Sequence, residues 1–581
     1  MMFLKRILLC AAAATLAAGP ARAELRVTIA GIDGPERDNV EARLGIFAYA
    51  EDDGADDAQI RRLHRQAGDE IRSALQVYGY YTPDVRASLQ AEGAEGSDWH
   101  ARYDIAPGAP TLLALVRLEV SGEGRELPAL REAVAKTRLR EGERLLHEHY
   151  ESTKTALARA AYQNGFLDAQ FTEHALRVEP AQRRAEAILA LETGPRYYFG
   201  EVSIVQEGLD PEFAARYVPI RPGEPFEPDK LLQAQFVLSD LGYFGSVDVQ
   251  PRRDQTVDQR VPIVIVTTKR PPRRYDAGVG YGTDTGARLT LGAEFRQLNP
   301  SGHKLRSDLR VSEIKNNVGL DYRIPLGTRA GENLGFATTY TDEKIGDGES
   351  QRYGFTVSLS RTPGDWQRQL YVKHEYEESF VPETGTDSTK LLMPGVALSR
   401  GELDNPIHAR LGWSLFLDAH GGHQALISDV NFLQGRALVR GVLPFGERTR
   451  LLARAEFGAT SVDDFSELPA SQRFFAGGDQ SVRGYAYQSL APRDATGKVV
   501  GGQYLTTYSF EAEMRVWNNW GAAVFIDLGN ADDDLGPGLK RGVGVGVRYR
   551  APVGMVQVDL AHPLDGEGRG VRPHLGIRVG L

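Results

Sequence analysis

The C-terminal half of the chain alternates apolar and polar residues, and this period of two restricts it to β-strands. From Tyr275 onward, helical periodicity is absent, and short runs are separated by Gly, Asp, Asn and Pro. In Arg541 to Arg550, valine or tyrosine occupies every second position, with glycine or arginine between them. One apolar face and one small or charged face fit a membrane barrel with a polar lumen. Strands of a soluble all-β domain alternate in the same way, so the alternation alone does not exclude such a domain.

The N-terminus favours the membrane barrel over the soluble domain. Lys5 and Arg6 precede an apolar run, and Ala21-Arg22-Ala23 has a small residue at both positions of a signal peptidase site, so residues 1–23 are predicted to be a secretory signal. After it, no apolar run approaches the roughly 20 residues that a spanning helix needs, so a membrane protein of this sequence is a β-barrel. Residues 271–581 are predicted to form a transmembrane antiparallel barrel, and strands of ~10 residues with their turns allow about 16 strands.

Composition and charge exclude several classes of protein. The single cysteine, Cys10, lies within the predicted signal, so no disulfide and no thiolate metal site is expected in the mature chain. Loss of Lys5, Arg6 and Arg22 with the signal changes the formal net charge from -10 to -13, which argues against nucleic acid as a partner. The sequence has no Gly-x-Ser-x-Gly elbow and no zinc motif, so an outer-membrane enzyme lacks a nucleophile or a metal. We predict no enzymatic activity, no cofactor and no metal site.

The region before the predicted barrel contains a weak threefold repeat of α/β character. Each unit has a stretch of helical spacing, then a glycine beside aromatic residues, then a strand. The marker glycines, Gly79, Gly165 and Gly242, are 86 and then 77 residues apart. Each can end its helix as a left-handed C-terminal cap. The repeat predicts three small α/β domains, at residues 24–108, 109–194 and 195–270.

One segment of loop character, Arg473 to Tyr485, is surrounded by β-type sequence. Its glycines Gly477, Gly478 and Gly484 permit backbone conformations and close approaches that a Cβ forbids. Arg483 precedes the last of these glycines. If the segment folds inside a protein, the guanidinium needs carboxylate partners, because an unpaired buried charge costs several kcal/mol.

Two acidic residues downstream of the segment are candidate partners for this arginine. Alternation puts Glu511 opposite the apolar face of one strand, and the next strand puts Asp527 opposite its apolar face as well. Both carboxylates are predicted to face the lumen, where charge-assisted hydrogen bonds to Arg483 would hold the loop against the inner wall. Solvation of the two acids in a polar lumen is the alternative.

The same residues carry a family resemblance that covers essentially the whole mature chain. Val482-Arg483-Gly484-Tyr485 resembles the loop motif of the superfamily of POTRA-domain outer-membrane assembly and secretion barrels. The Phe-x-Asp-x-Gly element of that superfamily is present as Phe525, Asp527 and Gly529. The resemblance implies three POTRA repeats followed by a barrel whose loop folds inward from the outside. It implies that Arg483 contacts Glu511 and Asp527, with Gly477, Gly478, Phe525 and Gly529 as the scaffold of the motif.

In its number of repeats, the chain resembles the TamA family within this superfamily. The barrel subunit of the BAM complex usually has more POTRA domains, and two-partner secretion transporters usually have fewer. This resemblance implies an outer-membrane protein with its POTRA domains in the periplasm. It also implies three kinds of partner: a TamB-like protein anchored in the inner membrane, unfolded outer-membrane protein clients such as autotransporters, and outer-membrane lipid. A two-partner-secretion pore and a BamA-like general assembly factor are the alternatives.

The resemblance further implies an imperfect seam between the first and last barrel strands, where unpaired backbone groups would template a client strand. The two strands are expected near residues 275–282 and 574–581. Their glycines are predicted to keep the seam thin and deformable: Gly278, Gly280, Gly282, Gly576 and Gly580. Relief of crowding in a curved barrel is the alternative role for these glycines.

Overall fold

The structure is a computed structural model, and it describes most of the chain beyond the predicted signal peptide. The described residues are 25–50, 56–92, 98–327, 329–381, 385–536, 538–552, 554–566 and 570–578. The predicted signal, residues 1–23, and Gly580 of the predicted seam lie outside them. Within these ranges, no helix is both long enough and apolar enough to cross a membrane. The chain divides into two compact units, and the division passes through the third small domain.

Three small α/β domains precede the barrel. The first contains β1 (Leu25–Ala30), α1 (Pro35–Arg43), α2 (Gly45–Tyr49), α3 (Asp57–Gln76), β2 (Asp84–Glu92) and β3 (Asp98–Ala106). The second contains β4 (Leu112–Ser121), α4 (Pro128–Ala135), α5 (His147–Gln163), β5 (Gln170–Glu179) and β6 (Arg184–Glu192). The third contains β7 (Tyr198–Val205), α6 (Pro211–Ala215), α7 (Pro228–Asp240), β8 (Phe244–Pro251) and β9 (Arg260–Lys269). In each domain the last strand in sequence lies in the middle of a three-stranded sheet, in the orders β1-β3-β2, β4-β6-β5 and β7-β9-β8.

Helical periodicity accounts for the core of the first domain. Ile60, Ala67 and Ile71 recur along one face of α3 and are fully buried. They belong to one apolar cluster with Ala101 and Tyr103 of β3. The side chain of Asp56 begins the helix by accepting a hydrogen bond from the Ala58 N–H, at 3.3 Å.

The marker glycines of the repeat end helices and also begin the joints between domains. Gly79 has a φ of +82°, and the Tyr80 N–H behind it donates to Leu75 O, as at a capped helix end. The Gly79 carbonyl then accepts the Thr111 N–H of the next domain at 2.8 Å, and Gly165 accepts the Tyr197 N–H in the same way at 2.7 Å. A side chain at Gly79 would place its Cβ 2.5 Å from the carbonyl oxygen of Leu145. The marker glycines therefore serve two purposes: they end helices, and they allow successive domains to pack closely.

The remainder of the chain forms a sheet of 16 strands, each paired antiparallel with the next in sequence. These strands are β10 (Arg273–Gly282), β11 (Gly286–Phe295), β12 (Lys304–Ser312), β13 (Lys315–Pro325), β14 (Asn333–Ile345), β15 (Gly348–Arg361), β16 (Gln367–Val381), β17 (Gly385–Leu403), β18 (Gly412–Gly422), β19 (Phe432–Phe445), β20 (Thr449–Val462), β21 (Tyr504–Trp517), β22 (Trp520–Asp532), β23 (Lys540–Ala551), β24 (Gly554–Pro563) and β25 (Arg572–Arg578). The predicted fold class, three α/β domains followed by an antiparallel barrel of 16 strands, is confirmed.

The barrel wall has an apolar outer face and a polar lumen. In β22, the buried Phe525 and Asp527 alternate with the exposed Val524 and Ile526. Arg548 of β23 is fully buried although its strand neighbours Val547 and Tyr549 are exposed. This arrangement fits lipid outside and polar side chains inside. We call the end at which β10 begins the proximal end of the barrel, and the opposite end the distal end.

A structural contact joins the third domain to the proximal end of the barrel within the second compact unit. The rings of Phe213 and Tyr243 meet edge to face with centroids 5.3 Å apart, and the Tyr243 hydroxyl donates to the Gly302 carbonyl between β11 and β12. The Lys304 ammonium lies over the Tyr243 ring, 4.4 Å from its centroid, and donates to Leu241 O at 2.7 Å. Hydrogen bonds and aromatic contacts thus hold this part of the domain on the barrel.

Candidate functional site

The connection between β20 and β21, residues 463–503, enters the lumen, and we call it the inner loop. Its apolar side chains pack together and against the wall in three buried clusters. Arg483 is 3% exposed, and its side chain forms the centre of a polar network on the inner wall. The segment predicted from its glycines is therefore the part of the chain that fills this side of the lumen.

The predicted partner Asp527 binds Arg483 through three hydrogen bonds. Arg483 Nε donates to Asp527 Oδ2 at 2.7 Å, and Nη2 donates to Oδ1 at 3.0 Å. The Arg483 backbone N–H also donates to Oδ2, at 3.1 Å. This two-pronged geometry fixes both the side chain and the backbone of the loop relative to β22.

The predicted partner Glu511 is also in place, and the structure adds a third carboxylate. Arg483 Nη1 donates to Glu511 Oε2 at 2.7 Å and to Asp559 Oδ2 at 3.0 Å. Asp559, in β24, is not among the predicted partners. The alternation that places Glu511 and Asp527 inward applies to it equally, since its neighbours Val558 and Leu560 are exposed.

A second arginine shares these carboxylates and extends the network toward the proximal end. Arg548 Nη2 donates to Glu511 Oε1 at 2.6 Å, Nη1 donates to Asp559, and Nε lies 3.3 Å from Glu513 Oε1. Arg450 then donates to Glu513 at 2.7 Å. Sequence reasoning did not identify these arginines or Glu513 as members of the site. The sequence alternation does place their side chains on the inner face of their strands. It does not predict which inward side chains contact one another across the lumen.

Burial makes this network sensitive to the loss of any member. Its charged side chains are nearly removed from solvent, with Asp527, Asp559, Glu513 and Arg548 fully buried. In such surroundings an ion pair contributes little net stability, but an ion left alone costs several kcal/mol. The inner loop is therefore held by charges that depend on one another. The alternative of separately solvated lumenal acids does not fit this geometry.

The remaining motif residues shape the contact between the loop and the wall. The Phe525 ring lies beneath the guanidinium, with Arg483 Cζ 3.3 Å from the ring centroid. Val482 is fully buried, and a Cβ at Gly529 would lie 2.9 Å from its Cγ2. A Cβ at Gly542 would collide with the Arg483 carbonyl oxygen. The strands thus lack side chains where the loop backbone crosses them.

Glycines and a tyrosine position the loop itself. Gly477, Gly478 and Gly484 have φ values of +101°, +99° and +98°. These left-handed conformations favour glycine. The Tyr485 hydroxyl donates to Asp565 O at 2.7 Å, at the distal end between β24 and β25.

The inner loop also contacts both edges of the sheet through a group of polar side chains. Asp479 accepts a hydrogen bond from the Thr283 hydroxyl at 3.2 Å and pairs with His574 Nδ1. Its backbone N–H donates to Asp284 Oδ2 at 2.5 Å, and the Gly484 N–H donates to His574 Nε2 at 2.9 Å. Burial raises the pKa of the Asp284 carboxyl above its ordinary value. The loop thus links the turn after β10 to β25.

The ligand atoms of Asp284, Asp479 and His574 lie within 4.8 Å of one another, close enough to hold a metal ion. The imidazole, however, accepts the Gly484 N–H at Nε2, so its proton belongs on Nδ1, facing Asp479. A metal on Nδ1 would have to replace that proton while Nε2 keeps the Gly484 hydrogen bond. The trio fits a hydrogen-bonded link between strands better than a set of metal ligands.

The seam between β10 and β25 is only partly joined. In the described part of both strands no ladder connects them. The Thr283 N–H donates to Leu575 O at 3.4 Å, and the Leu575 N–H donates to the Thr283 hydroxyl at 3.3 Å. Both contacts lie at the distal end. Toward the proximal end, the described residues of β10 and β25 form no further backbone hydrogen bond with each other, so these stretches of the two edges are free to pair with another strand.

The predicted seam glycines lie along these edges. A Cβ at Gly278 would meet nothing within 4 Å, and a Cβ at Gly576 would come no closer than 3.4 Å, to the Gln557 side chain. A Cβ at Gly280 would meet the flexible Arg288 side chain at 2.8 Å, and one at Gly282 would lie 3.1 Å from the Thr285 hydroxyl. No backbone atom crowds these four positions closer than 3.6 Å. Crowding therefore does not explain Gly278 or Gly576, whereas a Cβ at Gly280 or Gly282 would press on a neighbouring side chain.

Comparisons with known proteins agree with this architecture. Residues 298–581 match the Omp85 superfamily domain. Residues 26–107 match the first POTRA domain of the TamA type, and residues 197–270 match a POTRA family described as a surface antigen variable number repeat. Together these matches cover parts of the first and third small domains and most of the barrel.

Individual relatives are distant. The chain is 24% identical over 415 residues to outer membrane protein assembly factor BamA of Nitratidesulfovibrio vulgaris, which covers 62% of this chain and 48% of that protein. It is 22% identical over 379 residues to BamA of Neisseria meningitidis, covering 59% and 47% respectively. The chain thus spans about half the length of the curated relatives it matches.

A solved structure has the same fold. The crystal structure of BamA from Haemophilus ducreyi lacking POTRA domains 1-3 superposes with a TM-score of 0.66 at 15% identity, covering 80% of this chain and 98% of that one. At this identity the likeness is one of fold alone. The family models thus match most of the barrel to the Omp85 superfamily and two of the three small domains to POTRA domains, and the fold agrees with these matches.

Proposed function

We propose that this POTRA-bearing Omp85 barrel assists the insertion and secretion of autotransporters and other outer-membrane proteins through its lateral seam. It lies in the bacterial outer membrane with its POTRA domains in the periplasm. An unfolded client strand pairs with the free edge of β10 or β25 and enters the membrane beside it. The process makes and breaks hydrogen bonds between strands and requires no covalent chemistry, so the protein is not an enzyme.

The observation that carries this proposal is the incomplete pairing of β10 with β25. A sheet edge with unpaired N–H and C=O groups is a template for another strand. Opening must break only a few distal contacts: the two hydrogen bonds between Thr283 and Leu575 and the contacts of Asp479 with Thr283 and His574. A neutral hydrogen bond contributes about 1 kcal/mol, so the cost of separating the seam is modest. The Arg483 network keeps the inner loop in the lumen while the seam opens.

Within the superfamily, we assign the chain to the TamA type, the outer-membrane component of the translocation and assembly module. The TamA-type match of the first domain and the presence of three α/β domains support this assignment. The assignment implies a TamB-like partner anchored in the inner membrane. Crosslinking through the first domain in cells, followed by mass spectrometry, should capture that partner. Capture of soluble assembly lipoproteins instead would contradict it.

A BamA-like general assembly factor is the second candidate, and the relatives found by sequence favour it. The two candidates differ in the breadth of their clients. Depletion of a general factor stops the assembly of most outer-membrane proteins, whereas loss of a TamA-type protein affects a subset. A third possibility, an open secretion pore, conflicts with the lumen filled by the inner loop, and steady single-channel conductance of the intact protein would revive it.

A crosslink across the seam tests the proposal. A T283C/L575C variant joins residues that exchange the distal hydrogen bonds, and its disulfide should block insertion of an autotransporter β-domain into proteoliposomes. Reduction should restore insertion. The matched control, L398C/L417C, joins two neighbours in the continuous β17–β18 ladder and should insert clients in both redox states. Normal insertion by the oxidised seam variant would refute lateral opening.

A further inference from the structure

The proximal end of the lumen contains a pocket of about 390 Å³ that lies away from the seam and shares only Arg450 with the Arg483 network. The turns after β19, β21 and β23 and the connection between β17 and β18 form its walls. Five arginines and one acidic residue, Glu447, line it, and we call it the arginine pocket: Arg410, Arg448, Arg450, Arg515 and Arg550.

The connection between β17 and β18 closes one side of the arginine pocket. His408 Nε2 lies 2.8 Å from the Ala551 carbonyl at the end of β23, six strands away along the sheet. The Ala409 carbonyl accepts a hydrogen bond from Arg450, and the Arg410 Nη2 donates to Gly446 O at 3.0 Å. These contacts build a fixed wall on which the arginines are arranged.

The arginines are unequally paired. Arg450 lies 2.6 Å from Glu513, and Arg550 lies 3.7 Å from the same carboxylate, which Arg548 also contacts. For Arg448 and Arg515, the described residues offer no carboxylate within 4.0 Å. Both side chains are exposed at the mouth of the pocket, whereas Arg450 and Arg550 lie deeper. The pocket therefore has more positive charge than its own acids balance.

Concentrated guanidinium groups of this kind suit an oxyanion. Each guanidinium offers a planar fork of N–H donors that binds phosphate or carboxylate oxygens in pairs. Arg448, in the turn after β19, and Arg515, in β21, are neighbours, since the Arg515 N–H donates to Arg448 O at 2.8 Å. Two guanidinium forks are therefore placed side by side at the mouth of the pocket. A phosphate presents oxygens in several directions and can be shared by two forks, whereas the two oxygens of a carboxylate lie in one plane and suit one fork.

The outer surface beside the pocket indicates its depth in the membrane. Trp517 and Trp520 flank the turn residues Asn518 and Asn519 that line the pocket, and both tryptophans are exposed. The Trp520 ring packs on Tyr549 of β23 with centroids 4.9 Å apart. Exposed aromatic residues at one end of a barrel mark the level of the lipid headgroups.

We propose that the arginine pocket binds a phosphate-bearing ligand, either a lipid headgroup or free phosphate, at the proximal mouth of the lumen. Arg448 and Arg515 bind the phosphate oxygens, and Arg550 supplies positive charge at the floor. This site goes beyond the proposed insertion function, since it involves neither β10 nor β25.

Calorimetric titration of the full-length protein in a non-ionic detergent tests the site. Inorganic phosphate and dihexanoyl phosphatidylglycerol should compete for one saturable site. The R448Q/R515Q variant should bind both probes at least about tenfold more weakly, because each arginine donates charge-assisted hydrogen bonds. Tighter binding of the lipid would identify the headgroup as the source of the phosphate, and equal binding would identify free phosphate. Heat-dependent migration in gels should show that the variant barrel is folded.

The matched control removes two arginines from the same end of the barrel without touching the pocket. Arg361 and Arg368 face each other across β15 and β16, and both are exposed. R361Q/R368Q should leave phosphate binding unchanged. Three results would overturn the proposal: no saturable binding of either probe, an equal loss in this control, or binding of a hexaglutamate peptide in preference to phosphate, which would make the pocket a site for acidic protein segments.

Discussion

Arg483 is surrounded by more carboxylates than one guanidinium can neutralise. Asp527, Glu511 and Asp559 all accept hydrogen bonds from it, and the last two also bind Arg548. The network is thus shared between a loop residue and a strand residue. Loss of the loop arginine leaves Asp527 with no ion-pair partner recorded in the described structure. The loop position and the charge balance of the wall therefore depend on the same side chain.

Replacement of Arg483 by alanine should release the inner loop and destabilise the barrel. An uncompensated buried charge costs about 3–5 kcal/mol, and Asp527 is fully buried. We expect urea-induced unfolding at lower denaturant concentration and new protease cleavage within residues 463–503. Addition of D527N to R483A should recover part of the lost stability by removing the stranded carboxylate.

An exposed ion pair of the same barrel provides the control. Arg541 pairs with Asp565 at 2.9 Å, but its side chain is 53% exposed. R541A should therefore cost less than about 1 kcal/mol and leave the loop protected. If R541A and R483A lower stability equally, burial of the Arg483 network is not what holds the loop.

His147 gives the joint between the first two domains a dependence on pH. Burial lowers its pKa below the ordinary value, with a smaller opposing effect of the Glu151 carboxylate, and Nε2 lies 2.6 Å from the Tyr81 hydroxyl. Between the lowered folded pKa and the unfolded value of about 6.5, the unfolded state binds more protons. Stability contributed by neutral His147 is thus present above that value and is lost as pH falls through it.

Hydrogen exchange of the full-length protein measures this effect. After correction for intrinsic rates, amides of residues 78–82 should open more readily at pH 5.5 than at pH 7.5. The H147Q variant cannot take up the proton, so its opening should change less between the two values. Equal pH dependence in both proteins would assign the effect to other groups, such as His64, whose pKa burial also lowers.

At the residue scale, the structure brings together the residues to which alternation and a motif point jointly. Strand alternation puts Glu511 and Asp527 inside, the family motif points to Arg483, and the three are in contact. Asp559 also alternates with apolar residues but belongs to no motif. Arg548 lies on a strand face that consists of glycines and arginines, and nothing in the sequence distinguishes it from the others. Pairing across a lumen depends on barrel curvature and on the path of the loop, neither of which a period of two encodes.

At the scale of elements, the inner loop and β23 fit together because three successive inward positions of the strand, Gly542, Gly544 and Gly546, have no side chain. A run of glycines alternates with valines there, and the loop backbone crosses directly above Gly542. Sequence periodicity predicts the alternation of β23 and the existence of the loop. It does not predict that the loop packs on the glycine face. Glycines that make space for another segment and glycines that make a strand flexible give the same sequence pattern.

Replacement of Gly542 by alanine should displace the inner loop without changing any charge. The added Cβ would collide with the Arg483 carbonyl oxygen, and overpacking of this kind typically costs about 1–3 kcal/mol. The control is G435A in β19, where a Cβ would meet nothing within 4 Å. Protease sensitivity of residues 463–503 should rise in G542A but not in G435A. Equal protection in both would contradict the close crossing.

At the scale of the whole molecule, repeats and barrel texture predict the number of domains and strands, whereas the joints are visible only in the structure. The marker glycines predict helix ends, yet Gly79 and Gly165 also accept the first hydrogen bonds of the following domain. The contact of Tyr243 with Gly302 joins residues 59 positions apart. A contact at that separation depends on how the domain docks, which the local pattern does not contain.

Replacement of Tyr243 by alanine should loosen the third domain on the barrel. The side chain is 6% exposed, packs edge-on against Phe213, and supports the Lys304 ammonium on its ring face. Loss of a buried aromatic ring costs about 3–5 kcal/mol, so amides of residues 208–213 and 296–304 should exchange about a hundredfold faster. The control F236A removes an aromatic ring that is 67% exposed on α7 of the same domain. Faster exchange in both variants, or in neither, would mean that the Tyr243 contact does not hold this part of the domain on the barrel.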